Sequence, residues 1–206
     1  MSTPNEALAA RLTSLAGRTG IVTGQSGGLG IAISRVLADA GATIYGLNRT
    51  VRPEAEHPGV TQVRVDITDA GATAAAVQRI GDAGGIDFVI NNAGITVKDR
   101  AENISPTQFR SVQTVNVDAM FDLSARAFPF LSASPHVGRI VNIASMAAHL
   151  SFSQVVPYAA SKAAVGGLTR GLAIEWAQHN VLVNSVSPGW FRTQMNEAVK
   201  IGRSVV

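Results

Sequence analysis

The chain has 206 residues, 46% of them hydrophobic and 15% charged, with a formal net charge of +3 and no cysteine. That size suits one domain able to bury roughly 70% of the surface its unfolded chain exposes, and the composition favours a globular, well-buried fold over disorder. Without cysteine there are no disulfides, thiol nucleophiles or cysteine metal sites, and scattered basic residues argue against a nucleic-acid or membrane surface. His57, His136, His149 and His179 show no ligand spacing, so no metal site is expected. The start, MSTPNE, lacks the apolar core of a signal peptide, and no stretch approaches a membrane span, which makes the cytoplasm the expected location.

Taken in chain order, residues 1–17 read as a polar and helical lead-in to one domain over 1–206. Short apolar runs then alternate with helical stretches. The strand-like runs are Gly20–Thr23, Ala42–Leu47, Gln62–Val65, Asp87–Asn91, Gly138–Ala144 and Val181–Val186. Helical patterns fall near 28–41, 69–83, 105–133 and 158–179. Alternation of this kind predicts an α/β fold in which parallel strands are joined by helical crossovers. The connection from Arg49 to Gln62 is the exception. Its two prolines predict a loop or a single turn in place of a full helix.

The turn after the first strand reads T-G-Q-S-G-G-L-G from Thr23 to Gly30 and opens a helix. Glycines at 24, 28 and 30 permit a sharp turn and close backbone approach to a pyrophosphate. The positive end of the following helix favours that anion. The alternative is a turn kept glycine-rich only for packing. Far downstream, Tyr158 and Lys162 stand four residues apart, on one helical face, with Ser145 thirteen residues before the tyrosine. An ammonium beside a phenol favours the phenolate and predicts a tyrosine tuned toward neutral pH, fit to exchange a proton with a substrate oxygen.

The spacing G-x-x-x-G-x-G, Asn91-Asn92-Ala93-Gly94, Asn116, Ser145, Tyr158 with Lys162, and Pro188-Gly189 together resemble the short-chain dehydrogenase/reductase family, from about Arg18 to about Val199. The resemblance implies a Rossmann-type, doubly wound, three-layer sheet of six strands, with the family's usual seventh absent. It implies that Gly24, Ser26, Gly28, Leu29 and Gly30 line the pyrophosphate. Asp66 would meet the adenine with the backbone of Ile67, or else only cap the helix before Ala70. Asn91, Asn92, Ala93 and Gly94 would pass beside the cofactor ribose. Pro188, Gly189 and Thr193 would reach the nicotinamide amide, Thr193 having a plain cap as its alternative.

It further implies hydride transfer between a nicotinamide and a carbonyl or alcohol carbon, with Tyr158 as general acid or base. Lys162 would lower the tyrosine's pKa and hold the nicotinamide ribose. Ser145 would hydrogen-bond the substrate oxygen. Asn116, awkward inside a predicted helix, would hold water in a proton relay. The second strand ends in Asn48-Arg49 with no acid, and an arginine there pairs with a 2′-phosphate, so NADP is expected over NAD unless Arg49 is merely solvated.

The stretches 145–158 and 170–180 look most like dehydrogenases of sugar acids and polyols, with 3-oxoacyl-carrier-protein reductases as the alternative. Homo-oligomerisation through helices near 105–133 and 158–179 is the family's habit. Relatives continue well past Val206, so a missing last helix and strand, and a non-catalytic dinucleotide-binding remnant, is the remaining expectation.

Overall fold

The computed structural model describes residues 13–150 and 152–191. In chain order its main elements are β1 (Thr19–Thr23), α1 (Leu29–Asp39), β2 (Thr43–Asn48), β3 (Val60–Arg64), α2 (Ala70–Gly84) and β4 (Phe88–Asn91). They continue with α3 (Pro106–Gln113), α4 (Ala119–Ala133), β5 (Gly138–Ile143), α5 (Val156–Trp176) and β6 (Val181–Val186). The strands form one parallel sheet in the order β3-β2-β1-β4-β5-β6. This is the doubly wound, Rossmann-type arrangement. The chain moves outward from β1 in one direction, then returns to β4 and moves outward in the other. At that reversal the connections leave to opposite sides, and a crevice opens beyond the carboxyl ends of β1 and β4.

Alternation along the central strands assigns the layers. Ile21 and Val89 face the side covered by α2, α4 and α5, where Val77, Ile80, Leu123, Leu131 and Leu172 complete the larger core. Val22, Ile44, Phe88 and Ile90 face the other side, packed by Ile33 and Leu37 of α1. Side chains of this kind contribute about 1.5–3 kcal/mol each when taken fully out of water. The β6 edge differs. Among the described residues it pairs only with β5, and Leu182 and Val186 on it are 46% and 50% exposed.

Two connections depart from regular form. Between β2 and β3 the chain makes one 3-10 turn, Pro53–Ala55, as the two prolines predict. The long helix expected over 105–133 is instead three pieces: α3, a π turn over Thr114–Asp118, and α4. Ser105 starts α3 with a reciprocal capping box to Gln108. The π turn inserts an extra residue where Asn116 is buried, and such bulges recur at functional sites.

Candidate active site

The crevice holds a cavity of about 410 Å³ running from the glycine turn to Tyr158. Gly24 and Gly28 adopt φ of 65° and 52°, in the left-handed region that glycine enters without a steric penalty. The first turn of α1 carries no side-chain cap, and Gly28 and Leu29 line the cavity, so the helix presents its positive end there. Gly30 does not line the cavity. It lies beneath the turn, where a Cβ would collide with the Gly24 carbonyl and stand 2.9 Å from Asn92 Nδ2 and Gln25 Cα. Its service to a pyrophosphate is therefore indirect: it lets α1 start close under the turn.

Ser26 and Asn48 both border the cavity and brace each other. The Ser26 amide donates to Asn48 Oδ1 at 2.8 Å, and Ser26 Oγ donates to the Thr50 carbonyl at 2.9 Å. Asn48 Nδ2 donates to the Gly46 carbonyl and to Gln25 Oε1. Asn48 is thus committed to the turn, and Arg49 next to it lines the cavity. Arg52, which sequence reasoning passed over, lines the same end.

Asp66 and Ile67, just past the end of the neighbouring strand β3, also line the cavity. Asp66 Oδ1 accepts from the Thr68 amide and hydroxyl at 3.0 and 2.7 Å. Those bonds, the backbone one first, hold its carboxyl below the ordinary value, with Arg49 adding a smaller pull. Asp66 does not cap the helix before Ala70; Asp69 does, accepting from Ala72 at 2.9 Å.

At the end of β4 the four predicted residues separate. Asn91 points away into the core, donating to Ser124 Oγ and Asn142 Oδ1, so its placement beside a ribose is corrected. Asn92, Ala93 and Gly94 do line the cavity. Asn92 Nδ2 donates to the carbonyls of Thr23 and Gly24, while buried Thr23 Oγ1 accepts from the amides of Asn92 and Ala93. Thr23 thus ties β1 to the β4 loop, a role its place before the glycine turn does not reveal.

The far end gathers Ser145, Tyr158, Lys162, Pro188 and Gly189 from three elements. Ser145 follows β5, and its Oγ accepts from the Ala147 amide at 3.1 Å. Met146 donates to the Pro188 carbonyl at 3.1 Å, joining the loops after β5 and β6. Lys162 is 3% exposed and donates to the Ile143 carbonyl at 2.6 Å, which fixes its ammonium beneath the tyrosine. Its Nζ stands 5.6 Å from the Tyr158 ring centre.

Burial pushes Lys162 down to about 8. Burial also raises the Tyr158 phenol, opposed in part by a hydrogen bond with Ser145. The direction of the Tyr158 shift is opposite to the expected tuning toward neutrality, because taking a phenolate out of water is costly. Asn116 is buried off the cavity wall. Its Oδ1 accepts from Ile95 N at 2.8 Å, and its Nδ2 donates to Ile95 O and Ser161 Oγ. Its side chain latches the β4 loop to α5 through Ser161, a bracing contact additional to the water-holding role expected of it. Thr193 lies outside the described residues. Among the described residues no group of His, Asp or Glu is gathered to hold a metal ion.

A family model described as short chain dehydrogenase matches residues 18–203. The chain belongs to that family. It is 34% identical over 194 residues to the 2-dehydro-3-deoxy-D-gluconate 5-dehydrogenase of Dickeya dadantii, covering 90% of this chain and 76% of that protein. It is 35% identical over 198 residues to the 5-keto-D-gluconate 5-reductase of Escherichia coli K12, covering 91% and 77%. The structure superposes with TM-score 0.86 and 29% identity on a gluconate 5-dehydrogenase from Burkholderia cenocepacia in complex with NADP and tartrate, covering 95% of this chain and 80% of that one. As a short chain dehydrogenase, the chain is an NAD(P)-dependent oxidoreductase acting on CH–OH groups.

Proposed function

We propose that this short chain dehydrogenase is NADP(H)-dependent and interconverts a secondary alcohol and a ketone on a sugar acid. One observation carries the proposal. Ser145, Tyr158 and Lys162 converge at one end of a cavity whose other end is a glycine turn flanked by Arg49. The residues fit the dinucleotide: the turn is stripped of Cβ atoms where backbone must come close, and an uncapped helix start faces the cavity. Gly24, Ser26, Gly28 and Leu29 would hold its pyrophosphate, Arg49 its 2′-phosphate, Asp66 and Ile67 its adenine, and Asn92 to Gly94 its ribose. Pro188 and Gly189 would meet the nicotinamide amide.

The bound nicotinamide supplies or accepts the hydride. Tyr158 gives a proton to the carbonyl oxygen in reduction and takes it from the alcohol in oxidation. Its raised pKa keeps it protonated at neutral pH, which suits reduction. Ser145 donates to the same oxygen and stabilises its developing charge. Lys162, held by Ile143, places positive charge under the phenol and steadies its orientation. The sugar-acid class follows relatives named for gluconate and its keto derivatives. Association into a homo-oligomer is part of the proposal, supported by Phe121 on α4 and Ile174 on α5, which are 48% and 80% exposed. The cytoplasm, where nicotinamide cofactors are recycled, is the compartment proposed.

The test is to titrate the purified chain with NADPH and NADH in thermal denaturation and to assay 5-ketogluconate, gluconate and a 3-oxoacyl thioester. A folded-state ligand must raise the melting temperature. A larger shift with NADPH and turnover of the sugar acid support the proposal. Thioester reduction alone moves the assignment to a carrier-protein ketoreductase. A cofactor-induced shift without turnover of any substrate would leave a binding protein.

A further inference from the structure

The loop from Arg49 to Glu56 supplies Arg49 and Arg52 to the cavity, yet it has almost no regular structure of its own. Its backbone is held from outside, by side chains. Ser26 Oγ takes the Thr50 carbonyl, Arg35 Nη2 takes the Glu54 carbonyl at 2.7 Å, and Gln62 bonds both the amide and the carbonyl of Arg52. The innermost tie is Gln25. It sits in the glycine turn but does not line the cavity, and it is 0% exposed. Its Nε2 donates to the carbonyl of Ala55, itself fully buried, at 3.0 Å, and its Oε1 accepts from Asn48 Nδ2 at 3.2 Å. Gly46 on β2 makes room for it: a Cβ there would stand 2.7 Å from Gln25 Cβ, Cγ and Oε1.

A long amide buried under a cofactor turn needs partners for both its donor and its acceptor, and here each partner belongs to the arginine-bearing segment or its root. We infer that Gln25 is a positioning residue for cofactor choice: it locks the Arg49–Glu56 loop to the glycine turn, so that the guanidinium side of the cavity is set for a 2′-phosphate before the cofactor arrives. This inference rests on the proposed NADP(H) reading. It goes beyond it in assigning selectivity to a residue that touches neither phosphate nor ribose. The physical basis is preorganisation. A loop held in its binding geometry loses less freedom on binding, and only the cofactor that uses the loop gains.

The experiment measures equilibrium Kd for NADPH and NADH by cofactor fluorescence in Gln25→Met, Arg49→Ala/Arg52→Ala and the triple variant. Methionine keeps the length that fills the space over Gly46 but removes the donor and acceptor. NADPH binding should weaken about five- to twentyfold in Gln25→Met, the equivalent of one or two lost buried hydrogen bonds, with NADH changed by about twofold or less. Once both arginines are gone, adding Gln25→Met should leave the NADPH-to-NADH ratio where the double variant puts it, since the loop then has nothing to position.

Equal losses for the two cofactors, or a full additional loss of NADPH preference in the triple variant, would overturn the inference and mark Gln25 as a packing residue. If Gln25→Met fails to fold, Arg35→Ala, an exposed tie to the same loop, should weaken NADPH about twofold to threefold in the same selective sense, and no selective change would count against the idea. Wild-type protein that binds NADPH selectively but turns over nothing defeats the proposed reaction and leaves this inference standing. Wild-type protein that prefers NADH defeats both.

Discussion

The two ends of the cavity are built by opposite means. Beneath the charges of Arg49, Arg52 and Asp66, the glycine-turn end is braced by neutral groups that satisfy one another: Thr23, Gln25, Ser26, Asn48 and Asn92 each bond to backbone or amide partners a few ångströms away. The tyrosine end instead buries a charge. Lys162 has one bond to a carbonyl, is almost entirely out of water, and is pushed down to about 8 as a result. The first end therefore adds to stability and the second subtracts from it. A binding surface can be assembled from satisfied polar groups, whereas proton transfer needs groups held where their charged forms are uncomfortable.

The sharpest break of that contrast is Tyr158→Phe, which removes the proton donor and leaves the ring. Turnover should fall by about a thousandfold or more while NADPH affinity moves by less than about threefold. Steady-state kinetics beside a cofactor titration would check it, and substantial residual turnover would displace Tyr158 from its role.

Lys162→Met comes next. It should lower turnover by about a hundredfold yet stabilise the protein at pH 7 by about 2 kcal/mol. The sign follows from linkage. A lysine with a depressed folded pKa binds its proton less well folded than unfolded, so its charged form costs stability below about 8, and the cost is relieved as pH rises from about 8 toward the ordinary lysine value. The gain in Lys162→Met should thus be largest below pH 8 and shrink above it in chemical denaturation. In the wild type, reduction should decline as pH rises through that same range, because the ammonium beneath Tyr158 is lost there. A variant less stable than wild type at neutral pH would mean that the Ile143 bond outweighs desolvation.

At the other end, Gly30→Ala tests whether the turn is rigid. The new Cβ meets backbone, the Gly24 carbonyl, which cannot rotate aside. A loss of about 1–3 kcal/mol in stability and about tenfold in affinity for both cofactors is expected, measurable by thermal denaturation and titration. Unchanged affinity would show that α1 can shift without disturbing the amides that face the cavity.

How far the sequence speaks differs between the same two ends. Alternating apolar runs are sufficient for the sheet, because parallel strands buried on both faces must be apolar throughout, and the motif order is sufficient for the family. Ser145, Tyr158 and Lys162 are legible because their spacing is local: one turn of α5 puts the tyrosine and the lysine on one face, and the serine follows β5. Gln25, Thr23 and Arg52 are not, since their importance lies in partners dozens of residues away or in a loop whose path the sequence does not dictate. Asn91 misled for a related reason. A polar residue in a motif can point at the cavity or turn into the core to brace it, and one dihedral decides which. The π turn over Thr114–Asp118 was equally hidden, because T-V-N-V-D carries no helix-breaking residue.

The smallest expected effect separates charge from geometry. Asp66 is well exposed, and its lowered pKa comes first from the Thr68 amide and hydroxyl. Asp66→Asn keeps an oxygen for those donors and removes only the charge. Binding of NADPH and NADH should weaken together, by about twofold to fivefold, because the adenine is common to both. Acid stability should also change shape. A carboxyl with a depressed folded pKa contributes stability above its unfolded value and loses it as pH falls through the folded one, so the variant should be less sensitive to that descent than wild type. A cofactor effect confined to NADPH would instead point to Asp66 acting through Arg49, whose charge it feels, and would extend the loop-ordering device to the end of β3.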